Sequence, residues 1–483
     1  MSTVNEKMTV LANAIREKTG ITDALTLDGM ANAVQEIQTG GGGGSSASPK
    51  DVNFYDYDGT LLHSYTVEEA QALTELPELP TQEGLICQGW NWTLEEIKTR
   101  NRETDVGATY ITDDGKTRLY ISIVSDGRMD VPLYFQQTKA NGVTIDWGDG
   151  SATQTLSGTG KVKTVHTYAS IGDYVISLDV ADGCTLLLGH DGFGVCVMGE
   201  YTASSSGFGG NVYCNMLKKV EVGAGVSFYT DRAFSLCTNL ELVTLPVDIG
   251  NLDPYSFWGC YSLKCVIIPR TVVAVGGSTF LDCYSLTTVS LPNTLTSLGN
   301  ITISNVFGEC HSIERVVLPD SLSSLSNNIF KNCSSLKRAI YPKNYNIISD
   351  YGFYNCRNLK SLKIPSGVTS IGNYAFYQCS SLESVELPSG VTSIGASAFQ
   401  GCCGLTSLKI PSGVKTITSN SFRECYGIKF FDFTTHTSVP TLSNTGAFVS
   451  NPSDFEIRVP SALYETWKTA TNWSTYADYI VAV

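Results

Sequence analysis

The sequence predicts a mainly β, multidomain chain whose larger half is a solenoid of 23-residue coils, and three observations carry that prediction. A Phe-x-x-Cys-x-x-Leu/Ile phrase recurs nine times, with cysteines at 237, 260, 283, 310, 333, 356, 379, 402 and 425, spaced by 23 residues except for one interval of 27. Eight of the nine units place Pro at the ninth position after the Cys, from Pro246 to Pro411. Positions six and eight after each Cys are apolar, from Val243 and Leu245 to Phe431 and Phe433, while the residue between them varies. Fixed residue types at one period imply stacked units. Alternation at period two implies a half-buried strand, and Pro, which has no N–H to donate, ends it.

No single unit can bury its apolar edge, so the coils must stack, with strands about 4.8 Å apart. Stacked equivalents point the same way, which suits a row of buried reduced thiols acting as small hydrophobes better than the specific geometry of disulfides. A metal array is the remaining alternative, but there is no Cys-x-x-Cys pair and only five His. Cys214 and Leu217 read as a worn first coil or a cap. The Ala-Phe-x-x-Cys-x-x-Leu form at Ala375–Leu382 and Ala398–Leu405 resembles the BspA-like variety of leucine-rich repeat, over residues 200–434. Ile457-Arg-Val-Pro460, Ser461 to Trp467 and Asn472-Trp473-Ser474 resemble the closing unit of such arrays, which makes 435–483 a C-terminal cap with a short amphipathic helix.

Four pieces precede the solenoid. Residues 1–39 read as two short helices, with Val4, Met8, Leu11 and Ile15 on one stripe and Leu27, Met30, Ala33, Val34 and Ile37 on the next. A pair that small needs a partner for its apolar faces, and Ala12 to Gly20 with Leu27 to Ala31 resembles N-terminal segments of phage tail proteins. Residues 40–50 are a Gly/Ser linker. Residues 51–127 form a small α+β module, in which Trp90 and Trp92 read as core rather than as a sugar platform. Residues 128–188 resemble a PKD-type β-sandwich: Val143 to Ser151 is a strand entering an acidic turn, and His166 to Leu178 the later strand pair.

Composition narrows the function. A formal charge of −14 and few clustered cations argue against a nucleic-acid surface. The first segment has neither the charge nor the apolar run of a signal peptide or a membrane span. Asp56-Tyr-Asp58-Gly-Thr-Leu61 matches the nucleophile motif of haloacid dehalogenase phosphatases, which would make Asp56 a nucleophile and Asp58 an acid–base. An Asp-Gly pair between apolar runs is equally a hairpin turn, the favoured reading here. Asp146 and Asp149 are two carboxylates, too few for a calcium site. The expectation is therefore a non-enzyme, with no cofactor, no metal and no catalytic residue.

The residues on either side of each apolar strand position should form the binding face. Candidates are Leu242, Ile267, Arg315, Val317, Arg338, Ile340, Lys363, Glu386 and Lys409. The four-residue insertion at Asn300, Ile301, Thr302 and Ile303 is a second candidate. The resemblances imply a phage tail fibre or receptor-binding protein, in the virion, commonly trimeric, joined to tail or baseplate proteins and holding a host cell-surface glycan or protein. The alternative is a BspA-type adhesin on the bacterial cell surface.

Overall fold

The computed structural model describes residues 50–189, 195–200, 202–204, 207–209, 213–227, 232–299 and 304–483. The expected helices of 1–39, the linker as far as residue 49, and the candidate loop Asn300, Ile301, Thr302 and Ile303 lie outside the described residues. The chain is mainly β, and the repeats form a solenoid with two lines of short parallel strands. One line starts at Leu217–Glu221 and Leu242–Val243, passes through Cys265–Ile267, Arg315–Val317 and Ser407–Lys409, and ends at Glu456–Val459 and Ile480–Ala482. The other runs from Ala274–Val275 to Thr441–Leu442. Equivalent residues pair in register, Arg315 with Arg338, then Ser361, then Ser384.

The invariant residues explain the coil. From Phe234 to Phe422 and on to Phe448 the rings stack with centroids 5.1 to 5.9 Å apart. From Phe234 to Phe399 each ladder Phe carbonyl caps its own turn by accepting the N–H of the Cys three residues on, as Phe330 does from Cys333 at 3.1 Å. That carbonyl also faces the next coil, where the next Cys Sγ lies 3.0 to 3.3 Å away in all eight pairs from Cys260–Phe234 to Cys425–Phe399. A small side chain with a weak donor fits this dry site, which an aliphatic residue would fill without satisfying. The ladder cysteines Cys283, Cys310, Cys333, Cys356, Cys379, Cys402 and Cys425 are free thiols, and burial pushes them well above the ordinary thiol range. The Pro carbonyl begins the next turn, accepting from the residue three on, as Pro365 does from Val368 at 3.1 Å.

Each coil also holds two residues in the left-handed region, one just before the Cys and one five before it. Asn355 and Gln378 illustrate the first position at φ +60° and +58°, Asn328 and Tyr374 the second at +58° and +54°. At these corners the strained N–H donates to the following coil, Gln378 to the Gln400 carbonyl at 2.7 Å. Stacking therefore holds a conformation that an isolated L-residue would leave, at about 1 kcal/mol each.

The solenoid does not begin as a separate body. Leu217–Glu221 pairs antiparallel with Thr117–Ile123, which pairs with Gly172–Val180 and, beyond it, Val143–Asp146. Val226–Ser227 pairs with Leu186–Leu188, which pairs with Asp130–Gln137 and then Gly160–Thr167. Both sheets of the two-layer unit thus run into the two strand lines of the first coil, and one apolar core extends unbroken from Leu119 to Ile480. Pairing consumes the open sheet edges that a bare first coil would expose.

Two expected boundaries move as a result. Thr117–Ile123, expected in the module ending at 127, belongs to the two-layer unit because its buried Leu119, Ile121 and Ile123 face that core. The expected end at 434 is one coil early. Phe448 continues the ring stack, Asn451 takes the Cys place and accepts the Cys425 N–H at 2.9 Å, and Ile457, Val459 and Pro460 fall in register. Helix Tyr464–Thr469 and the turn at Trp473–Tyr479 close this end. Buried Trp467 and Trp473 pack on Phe433, and Trp473 Nε1 donates to the Pro440 carbonyl at 2.7 Å.

Residues 51–112 have their own small core around Phe54, Trp90, Ile97, Val106 and Tyr110. Its sheet runs in the order Leu61–Tyr65, Val52–Tyr55, Thr104–Thr112, Leu85–Trp90. Helices Val67–Gln71 and Leu94–Thr99 each start with a capping box, Thr66 with Glu69 and Thr93 with Glu96.

Cys356→Ala should cost about 1–3 kcal/mol in chemical denaturation by removing a donor from a dry carbonyl, and Phe330→Ala about 3–5 kcal/mol. Gln378→Gly should instead gain about 0.5–1 kcal/mol, because Gly accepts the left-handed corner without strain.

Candidate ligand-binding surface

Much of the strand face expected to meet a partner is already occupied, by residues 51–112 of the same chain. Strand Thr104–Thr112 lies against Cys265–Ile267 and Thr288–Ser290. A Cβ on Gly107 would come within 2.4 Å of the Ile267 side chain, so glycine permits the approach. Asn91 Nδ2 donates to the Ile268 carbonyl at 2.9 Å and to Ser290 Oγ at 3.0 Å, and Ser290 Oγ donates to the Asp105 carbonyl at 2.7 Å. Trp92 Nε1 donates to the Leu291 carbonyl at 2.9 Å.

The charges match across this interface. Arg315 binds the Asp105 and Glu103 carboxylates and the Asp51 carbonyl, Arg338 binds Glu103, and Asp320 receives Arg100 and Arg102. Burial holds the Arg100 guanidinium down, to about 10, with Arg102 beside it adding to the effect, so it remains charged at neutral pH. The buried Asp105 carboxyl is pushed up because lost hydration outweighs the attraction of Arg315, the usual balance for a buried ion pair. Polar groups sealed this way match a permanent interface, since breaking it leaves each one unpaired.

The candidate residues therefore separate. Ile267 and Val317 are buried, Leu242, Arg315 and Ile340 are half-buried, and exposed Arg338 is bound to Glu103. For Ile267, Val317 and Arg315 the expectation of a free binding face is corrected: the apolar and Arg side chains that signalled a partner have one within the chain. Lys363, Glu386 and Lys409 remain exposed. With Asp432 and Arg458 they alternate in sign from coil to coil, Asp432 accepting from Thr434 and Arg458 pairing with Glu456.

The Phe/Cys turn edge carries a feature that the strand pattern did not signal. Tyr261, Tyr284 and His311, each directly after a ladder Cys, stack at 4.7 and 5.2 Å. Further along, Tyr351 stacks on Tyr374 at 4.9 Å and Tyr354 on Tyr377 at 4.7 Å, and the two stacks touch to make a block of four rings. Lys331 Nζ lies 5.8 Å from the Tyr354 ring centre. Tyr261 and Tyr284 are each 38% exposed and Tyr426 60%. The signal is present in the sequence as Tyr one residue after and two before Phe353 and Phe376, outside the strand positions.

The acidic motifs are engaged in local structure. Asp56 lies in the tight turn between Val52–Tyr55 and Leu61–Tyr65 and is 3% exposed. Its carboxylate accepts from Tyr57 N at 2.8 Å, Tyr110 Oη at 2.7 Å and Gln82 Nε2 at 2.7 Å, while Asp58 accepts from Thr60 N at 2.9 Å. Asp146 accepts from Gly148 N at 2.9 Å. Asp149 accepts from Ser151 N and meets His166 Nε2 at 2.7 Å, and the Ser151 hydroxyl, followed by His166, holds its carboxyl down at about 2.

A solenoid of parallel coils with a hydrogen-bonded Cys before each strand defines a leucine-rich-repeat protein of the Cys-first type. Residues 210–306 and 301–429 match the BspA type leucine rich repeat region, in six copies. Among solved structures the chain is similar to a leucine-rich repeat protein from Bacteroides ovatus, at 20% identity over 60% of this chain and 95% of that one, with a TM-score of 0.34. It is also similar to a leucine rich cell surface protein from Faecalibacterium prausnitzii (22% identity, 54% and 85% covered, TM-score 0.33) and to a T. pallidum leucine rich repeat protein (25%, 42% and 84%, 0.31). No curated protein matches the chain.

Gly107→Val should wedge the 51–112 unit off the solenoid. Hydrogen exchange should then rise at Asn91, Trp92 and the coils from Ile267 to Arg315, while the coils beyond Ser361 keep their protection.

Proposed function

We propose that this is a surface-recognition protein of the BspA-type adhesin class, in which the solenoid is a rigid scaffold and the aromatic turn edge holds the ligand. The observation that carries this reading is the distribution of open surface. The first half of the strand face is covered by the chain's own residues 51–112, and the open half carries a row of charges of alternating sign. The outer side of the second strand line and the turn edge are both open, and the turn edge presents rings already fixed by stacking. Tyr side chains offer large contact area with little rotamer entropy to lose, which is why they dominate recognition surfaces. The match of the repeats to the BspA type supports the adhesive role and a place on the bacterial cell surface.

A second reading, a phage tail fibre, rests on residues 1–39, whose Ala12 to Ala31 segment resembles tail-protein N-termini. In that reading the segment joins tail or baseplate proteins, the fibre is a trimer, and the same turn edge meets the host. Deleting residues 1–44 separates the two: loss of incorporation into particles with cell binding intact supports the fibre.

Whole-cell binding tests the surface itself. Tyr354→Gln with Tyr377→Gln, which copies the Gln at position 400, should lower binding at least tenfold, and Lys363→Ala with Lys409→Ala should leave it unchanged. The reverse result would place the ligand on the strand face.

A further inference from the structure

We infer that the tyrosine block is a site of oxidative modification: under hydrogen peroxide and a haem peroxidase, Tyr354 couples to Tyr377 and Tyr351 to Tyr374, stapling two neighbouring coils as dityrosine. This goes beyond the adhesive reading and does not depend on it.

Geometry carries the inference. The two pairs lie face to face across the coils, Tyr354 and Tyr377 at 4.7 Å with 8° between ring planes, Tyr351 and Tyr374 at 4.9 Å with 10°. A phenoxyl radical holds its unpaired electron in the π system, partly on the ring carbons next to the one bearing oxygen. Two such radicals bond through lobes that stand above the ring planes, so parallel rings are already aligned for coupling and steeply tilted rings are not. Within each coil the rings are tilted, Tyr351 to Tyr354 by 47° at 5.7 Å and Tyr374 to Tyr377 by 61° at 5.8 Å. The block is also bounded. Asn328 and Lys331 hold the equivalent positions one coil before it, and Ser397 and Gln400 one coil after, so neither stacked pair continues to a third phenol along the axis.

The chemistry balances. Each tyrosine gives one electron to the peroxidase haem and its hydroxyl proton to water. The two radicals form one C–C bond between their Cε carbons. Each of those carbons then releases its hydrogen as a proton, and a proton taken up by each oxygen restores both hydroxyls. The pair has lost two electrons and two protons, which convert one hydrogen peroxide to two waters.

The phenols are reachable and the neighbouring ladder thiols are not. All four tyrosines are half-buried, and among the described residues none of their hydroxyls is sealed from solvent without a partner. Cys356 and Cys379 of the same coils are fully buried, and burial pushes both thiols far up, which leaves no thiolate there to intercept the oxidant. A bond across the coils adds a covalent tie to a stack otherwise held by contacts between neighbours.

The test treats the full chain with hydrogen peroxide and a haem peroxidase, reduces all disulfides, and maps linked tryptic peptides by mass; Arg357, Lys360 and Lys363 separate the two coils. Expected is a link within one chain between the peptides of the two coils, lighter by two hydrogens, with thermal unfolding raised by a few degrees. Two variants with equal numbers of tyrosines separate geometry from exposure, and Phe keeps every ring in place. Tyr351→Phe with Tyr374→Phe leaves Tyr354 stacked on Tyr377 and should still couple. Tyr374→Phe with Tyr377→Phe leaves only the tilted pair and should lower dityrosine at the block by about tenfold or more. Equal coupling in the two variants, links only between chains, or no link at all would overturn the site, and a linked chain that unfolds at the unmodified temperature would overturn the staple.

Discussion

Everything in the solenoid depends on one shared acceptor, the Phe carbonyl at each corner. It closes its own turn through the N–H of the Cys three residues on and faces the Cys thiol of the next coil, so the turn and the stacking are made by the same atom. The phenyl ring of that residue then fills the core against its neighbours at 5.1 to 5.9 Å. A coil alone has no thiol from the next coil to meet its carbonyl and no face for its ring, and stability becomes a sum over neighbouring pairs. This explains why the interval of 27 residues is harmless: Cys310 Sγ still lies 3.1 Å from the Phe280 carbonyl, because the extra residues fall outside the corner.

A ladder of this kind has two ends and two broad faces, and each needs a cover. At the start, the strands of the two-layer unit pair with the first coil and carry the core through without a gap. At the finish, Trp467 and Trp473 close the last ring stack, with Ile480–Ala482 pairing on Glu456–Val459. The first half of the strand face is covered by residues 51–112 through matched ions and buried amides. The second strand line stays open, with Ile347 exposed on it, and so does the edge where the turns lie and the stacked tyrosines stand.

The strands, the corner residues, the reduced thiols and the closing helix were legible because they repeat: nine copies of a pattern expose its invariant positions. The added coil at Phe448 was hidden because Asn451 replaces Cys, although Ile457, Val459 and Pro460 kept register. Strand Thr117–Ile123 was assigned to the wrong unit because alternation reveals a buried face and not the core that the face meets. Ile267, Val317 and Arg315 depart from the expected free face for the same reason. Apolar and Arg side chains on a sheet signal a partner, and Ile267 and Arg315 have one, contributed by Gly107 and Asp105 of the same chain.

The sequence by itself determined the coil, since its period, Pro stops and Phe/Cys pair are local and self-reporting. Only the tertiary structure decided which surfaces remain open. Docking joins residues far apart in the chain, such as Asn91 with Ser290 and Glu103 with Arg338, and no periodicity links them. Contacts between non-repeating segments are set by shape and charge in three dimensions, and those are properties of the folded pair.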